Sequence, residues 1–265
     1  MRSAAPTAWI IRAGQACVPL ALLAGWAATA RLAGPDFLPG PAATAQTFLH
    51  GISTGWLTEN LGITLFELGW GFAWSVLVGL PLGLVLGLRP LLREAYEGPL
   101  LSLYAVPKVT LFPIFLFLFK LGPESKIAFG AFHGLFPVAI LTWTAMRAIP
   151  SVHLKLARSL RLTAWQAFRH VIVPSILPSL AIGLRLALNL TFLGVILGEM
   201  FGARHGLGQL LMAGGAAFDM GRIVVVLCVV ALLALAANGA LLLAQRRLER
   251  RGGAPPAAHT LGLPR

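Results

Sequence analysis

Nine carboxylates, six histidines and two cysteines are the residues of this 265-residue chain with acid–base, metal-binding or thiol chemistry at hand, and their spacing supports none of it. The histidines stand singly, with no His-Glu-x-x-His pattern, and no Cys-x-x-Cys pair occurs, so neither common zinc-ligand spacing is present. The acids are dispersed, which leaves no pair suited to general acid–base catalysis. No Gly-x-x-x-x-Gly-Lys-Ser/Thr loop appears, and no glycine precedes a lysine anywhere, so the chain does not hydrolyse ATP by the phosphate-loop route. Cys17 and Cys228 fall inside apolar segments placed near opposite membrane faces below, too far apart for a bridge that needs Cα atoms within about 7 Å. The expectation is a chain with no catalytic residue, metal or cofactor.

The elements that carry these residues are apolar. The chain is 57% hydrophobic and 11% charged, with mean hydropathy +0.81. A soluble domain carries about 25% charged residues, so the solvent expected here is a bilayer. The formal charge of +12 forms no aromatic-interleaved basic stripe, which argues against nucleic acid as a partner. A hydrocarbon core about 30 Å thick needs roughly 20 apolar residues as helix. Six segments qualify or nearly do: 14–33, 65–88, 105–119, 127–146, 180–200 and 223–244. The third is the weakest, and Pro107 and Pro113 predict a kinked or short span. The fold class expected is an all-α polytopic helix bundle.

With the N-terminus in the cytoplasm, 15 of the 21 Lys and Arg residues fall in inner segments and 5 in outer ones, so both termini are expected inside. A competing reading of the first segment is a cleaved leader ending near Ala28-Thr29-Ala30. The first outer loop, from Gly34 to about Asn60, is expected to carry a short surface helix starting near Pro41. The division expected is 1–60, a first span with its outer loop; 61–250, the transmembrane core; and 251–265, a disordered tail.

Within the spans, Gly79, Gly83 and Gly87 share one face of the second, and Gly194, Gly198 and Gly202 one face of the fifth. Such faces let helices approach closely in lipid. They serve either ordinary bundle packing or a seam between two copies near a solute pathway. Arg185 and Asn189 lie one turn apart on the fifth span, and Asn238 lies deep in the sixth. Intramembrane polar groups invite a transport role, although Arg185 is near enough to the inner end to snorkel. Glu199, at the outer end of the fifth span, is the nearest acidic candidate for a proton relay, and His133 stands without an acidic partner. That argues against a secondary transporter working through an internal relay.

The longest inner loop, 147–179, holds the densest pattern. Residues 151–162 read as a helix capped by Ser151 after Pro150. Val152, Leu156 and Leu160 form its apolar stripe, with Lys155, Arg158 and Arg161 on other faces. Trp165 and Phe168 follow, and Val173-Pro174 and Leu177-Pro178 lead into the fifth span. Taken alone, a basic amphipathic helix can equally rest on anionic lipid headgroups.

The ordered set Ala157-Arg158-Ser159-Leu160, Trp165 to Pro178, Gly183 to Ala187, Gly198-Glu199-Met200 and Gly206-Leu207-Gly208 closely resembles binding-protein-dependent ABC importer permeases, most of all the nitrate, sulfonate and taurine branch. The resemblance runs from about 61 to 250. It implies a permease subunit of the bacterial plasma membrane, paired with a second copy. The further partners it implies are two cytoplasmic ATPases and an extracytoplasmic substrate-binding protein. It also implies that loop 147–179 docks on the ATPase through Val152, Lys155, Leu156, Ala157, Arg158, Leu160, Arg161, Trp165, Phe168 and Pro174. Lys155 stands where the family has Glu, Leu156 where it has Ala, and Arg161 where Gly usually breaks the helix. The branch implies a small organic or inorganic anion as solute, with heterocyclic vitamin precursors as competitors. The rival readings are a stand-alone secondary transporter or channel, and a membrane interaction protein without a transport path.

Overall fold

A computed structural model describes the backbone of residues 5–34 and 37–251. The expected tail, 252–265, lies outside the described residues. Eleven α-helices account for nearly all of the rest, and no strand occurs among the described residues. They are α1 (Ala5–Ala33), α2 (Pro41–Ser53), α3 (Trp56–Leu88), α4 (Pro90–Ala105), α5 (Phe112–Phe119) and α6 (Pro123–Arg147). After them come α7 (Ser151–Ser159), α8 (Ala164–Ala167), α9 (Val173–Gly202), α10 (Leu207–Ala216) and α11 (Met220–Arg251). A 3₁₀ turn, Lys108–Leu111, precedes α5, and a π turn, Phe168–Ile172, joins α8 to α9.

Among the described residues, four stretches are long and apolar enough to cross a bilayer: Trp56–Leu88, Pro123–Arg147, Ala164–Gly202 and Met220–Gln245. Met220–Gln245 has mean hydropathy 2.7, yet only 22% of its most apolar window is buried. Side chains such as Leu232, Leu235 and Leu243 therefore face outward, an arrangement that lipid tolerates and water does not. The expected first span falls on α1, which is helical over Ala5–Ala33 and apolar over Cys17–Ala33.

The middle of the bundle is α6, clasped by α3 and α9. The close approach depends on the glycines. A Cβ at Gly79 would lie 2.7 Å from the Leu135 carbonyl oxygen, and one at Gly83 would lie 2.6 Å from that of Ala139. A Cβ at Gly87 would meet the Met146 side chain. On α9, Gly194 faces Gly130 and His133, and Gly198 faces Lys126 and Phe112. These faces are occupied by helices of the same chain, so the structure uses the glycines for internal packing.

Their pairing also fixes direction. Gly71, Gly79, Gly83 and Gly87 meet progressively later residues of α6, so α3 and α6 run parallel; Gly183, Gly194 and Gly198 meet progressively earlier ones, so α9 runs antiparallel. Two parallel neighbours require the chain to return between them. The return is α4 with the 3₁₀ turn and α5, bent by 89° at the break. The break falls where Val106 is extended ahead of Pro107, which disfavours helix at the preceding residue. The expected span over 105–119 is thus the second half of a broken crossing. Its first half, α4, stands where an inner loop was expected. Arg93 and Arg147 both approach Glu97, at 3.9 and 3.6 Å, which accounts for charges on that helix.

The fifth crossing also begins earlier than 180. Pro174 falls in the first turn of α9, where a missing amide costs nothing, after a π turn in which the Val173 amide donates to the Phe168 carbonyl; α9 continues through Pro178.

Candidate functional site

The bundle has two ends. One gathers the C-termini of α3 and α6 with α7, α8 and the start of α9. The other gathers the starts of α3 and α6 with the end of α9 and α10.

At the first end, α7 is the short basic helix that the sequence predicts, with different caps. Pro150 is the N-cap and Ser151 is the first helical residue, with no side-chain cap. At the C-terminus the Leu162 amide donates to Ala157 O (3.1 Å) and the Arg161 amide to Arg158 O (2.9 Å), the paired bonds of a Schellman turn. Arg161 occupies its left-handed position, with φ of 50°. The helix therefore breaks at the residue where the family pattern has glycine, with arginine bearing the strain. Next, Thr163 and Gln166 form a reciprocal capping box that starts α8.

Val152, Leu156 and Leu160 are 62%, 57% and 63% exposed, and Trp165 is 66% exposed and stacked on half-buried Phe168 at 5.8 Å. Ala157 alone of the expected docking residues is buried. Lys155, Arg158 and Pro174 are exposed around the stripe. The segment thus presents a continuous apolar and cationic surface that no described part of the chain covers.

At the second end lies a buried polar cluster. Asn60, Thr64 and Glu67 project from one face of α3 at spacings of four and three residues. The Thr64 hydroxyl donates to Glu199 Oε1 (2.6 Å) and accepts from the Leu207 amide (2.9 Å). Glu199 Oε2 accepts from the Gly208 amide (2.7 Å), and Asn60 Oδ1 accepts from the Gly206 amide (2.5 Å). Gly206 has φ of +115°, a conformation that favours glycine. Three successive amides that would be orphaned at the start of α10 are thus taken by α3 and α9. Glu67 and Lys126 lie against this cluster, both 2% exposed.

Arg185 and Asn189 sit far from it, toward the other end of α9. Asn238 of α11 donates to Asn189 Oδ1 at 2.5 Å, a polar tie between two lipid-facing helices, while Arg185 Nε is buried without a partner. The structure therefore does not bring Arg185 and Glu199 together. His133 Nδ1 donates to Phe129 O (2.9 Å) within its own helix.

Sequence reasoning missed the partners of Glu199. The available trace was the i, i+4, i+7 spacing of Asn60, Thr64 and Glu67 in an apolar stretch. It also missed an apolar groove of about 730 Å³ between α3, α5 and α6. Phe66, Trp70, Trp74 and Val78 line it from α3 at four-residue intervals.

Comparison with known proteins gives a consistent result. Residues 79–252 match the family described as binding-protein-dependent transport system inner membrane component. A riboflavin transport system permease protein of Chloroflexus aurantiacus is 33% identical over 208 residues, 78% of each chain. A putative aliphatic sulfonates transport permease protein of Bacillus subtilis is 27% identical over 197 residues, covering 74% of this chain and 71% of that one. A taurine transport system permease protein of Escherichia coli is 28% identical over 202 residues, 73% of each. Among solved structures, a chain of the MetNI methionine ABC transporter in an inward-facing conformation superposes with TM-score 0.66 at 20% identity, over 76% of this chain and 97% of that one.

Proposed function

The chain belongs to the family of binding-protein-dependent transport system inner membrane components, and from that membership we propose that it forms half of the pore of an ATP-driven importer. As a multi-pass membrane permease it is not itself an enzyme. The energy comes from two cytoplasmic ATPase subunits, and solute arrives from an extracytoplasmic binding protein. A second copy of the chain completes the pore in the bacterial plasma membrane. Residues 61–250 are the working core and 1–60 a peripheral span with its outer loop. The bias of Lys and Arg supports placing the α7–α8 end and both termini in the cytoplasm.

The observation that carries the reading is the uncovered surface of α7 and α8. Val152, Leu156, Leu160 and Trp165 lie outward on a segment that also exposes Lys155, Arg158 and Arg161. Such a face suits an ATPase groove whose rim is acidic opposite Lys155 and Arg158. Nucleotide-driven closure of the ATPases then moves α9 through α8, alternating access to the pathway. The solute is a small anion of the sulfonate, taurine or nitrate kind, supported by the names of several relatives. The riboflavin permease at 33% identity, together with the aromatic lining of the groove, supports a planar heterocycle as the second reading.

Photo-crosslinkers placed at Leu156 and at Trp165 test the docking in working membranes. The expected product is a covalent adduct with the ATPase subunit that strengthens with nucleotide. Adducts with phospholipid alone would remove the assignment.

A further inference from the structure

Two buried acids face each other at the Glu199 end of the bundle. Glu67 is 2% exposed on α3, and its carboxyl is in hydrogen-bond contact with that of Glu199, which is fully buried on α9. Two ionised carboxylates cannot make that bond, since neither has a proton to give, so the contact needs one proton. The other partners place it. Glu199 accepts the Thr64 hydroxyl on Oε1 (2.6 Å) and the Gly208 amide on Oε2 (2.7 Å), the pattern of an ionised carboxylate with room for a third donor. Glu67 Oε2 has no donor among the described residues. On a carboxylate that oxygen would be a buried charge without a partner. On a neutral acid it is a carbonyl oxygen, which costs less to leave bare.

The surrounding charges agree with one proton. From α6, Lys126 is as buried as Glu67; it donates to Leu121 O (2.9 Å) and Gly122 O (3.0 Å) and supplies the counter-charge. Glu124 of the same helix is exposed. From α3, Asn60 and Thr64 are neutral, and exposed Glu59 faces His205 at 3.9 Å. Arg204 and His205, in the loop after α9, are exposed as well, and α5 and α10 bring no ionisable side chain. With Glu67 neutral, one carboxylate and one ammonium balance inside the bundle. With Glu67 ionised, two touching carboxylates would share a single buried cation. We propose that Glu67 is a positioning residue for Glu199: it holds a proton between the two carboxyls, and that proton latches the start of α10 to α3 and α9. Opening the latch gives Glu67 to water, where a glutamate is ionised at neutral pH. The closed form therefore binds one proton more than the open form, and raising the pH favours opening. On the permease reading this end faces outward, so the latch makes the outer end of the bundle respond to extracytoplasmic pH. The inference rests on that reading only for the side of the membrane.

The test combines infrared spectroscopy with hydrogen exchange on the full chain in lipid nanodiscs. Near neutral pH, the difference spectrum of the parent and Glu67→Gln should contain the C=O stretch of a protonated carboxylic acid, shifted in heavy water. As the pH rises this band should fade. Exchange at Gly206–Gly208, corrected for its intrinsic pH dependence, should then quicken relative to α6 by up to about tenfold per pH unit, the slope for one linked proton. Glu67→Gln, whose amide donates to Glu199 without titrating, should exchange within about twofold of the parent near neutral pH and stay flat as the pH rises. Glu67→Leu, which has no donor, should open the latch about ten- to a hundredfold more often, the worth of one hydrogen bond to a charged group. If Glu67→Gln does not insert, spectra of the parent at successive pH values decide alone, because band and protection must be lost together. Carboxylate bands only near neutral pH, exchange in the parent indifferent to pH, or a glutamine variant as open as the leucine variant would overturn the shared proton. The crosslinks from Leu156 test the permease reading separately, so either can fall without the other.

Discussion

Replacing Glu199 by alanine should release the start of α10 from α3. The Glu199 carboxyl accepts the Thr64 hydroxyl at 2.6 Å and the Gly208 amide at 2.7 Å, and all three groups are buried. Hydrogen bonds to a charged group contribute about 1.5–3 kcal/mol each. The Thr64 hydroxyl can fall back on Asn60 O at 3.1 Å, so its loss is partial. The Gly208 amide has no such alternative. The net cost is about 3 kcal/mol, which corresponds to local opening about a hundredfold more frequent. Glu199→Gln keeps one acceptor for Gly208 and turns its amide nitrogen toward Thr64, and should cost about 1 kcal/mol. Hydrogen exchange read on peptides spanning 203–210 in nanodiscs measures both. The expected order of exchange is alanine, then glutamine, then parent, with α6 protected alike in all three. Exchange at Gly206–Gly208 within twofold of the parent in the alanine variant would show that the cluster does not hold this loop.

Three further outcomes are expected. Gly83→Ala places a Cβ 2.6 Å from the Ala139 carbonyl and from Thr142 Cβ, and should destabilise the bundle by about 1–3 kcal/mol; Gly69→Ala, with nothing within 4 Å, should be neutral or stabilising, and equal thermal stability of the two in detergent would contradict the seam. Arg161→Gly relieves the left-handed backbone at φ 50° and should raise exchange protection at the end of α7 by about 1 kcal/mol, whereas faster exchange would deny the strain. Deletion of Leu156–Leu160 should abolish solute uptake while the chain still inserts, and normal uptake would remove the coupling role.

The helical membrane bundle was legible because apolar length and scattered positive charge are local properties of the chain. Long segments such as 223–244 need no tertiary context to be seen. The α4 helix was not legible, because Arg93, Glu94 and Glu97 read as a solvated loop. Glu97 is matched by Arg93 one turn away and by Arg147, which folding brings up from the end of α6. The broken crossing was half legible: Pro107 announced the bend, while its 89° angle follows from the need to return between parallel α3 and α6. The amphipathic face of α7 was readable from its period, but its exposure was not, since periodicity cannot tell a buried stripe from an open one. Glu199 could be singled out as an acid in an apolar span. Its partners lie 135 and 9 residues away, at Thr64 and Gly208, and only folding brings them together.

The two ends of the bundle share one rod. Ala164–Gly202 is a helical stretch of 39 residues, about 58 Å at 1.5 Å per residue. It carries Trp165 near its first turn and Glu199 near its last. Between them Gly183, Gly194 and Gly198 press it to α6, which is pressed in turn to α3 by Gly79 and Gly83. Thr64 closes the loop by joining α3 back to Glu199. Three helices tied at both contact seams and at one end resist sliding past one another, because any slide must open a glycine contact or the polar cluster. The breaks in regular helix lie outside this block, at the π turn below α9 and at the bend between α4 and α5. Under the proposed docking, a push on Trp165 reaches α9 only across that π turn, and α3, α6 and α9 then move as one against α5, whose phenylalanines line the groove beside Phe66 and Trp70.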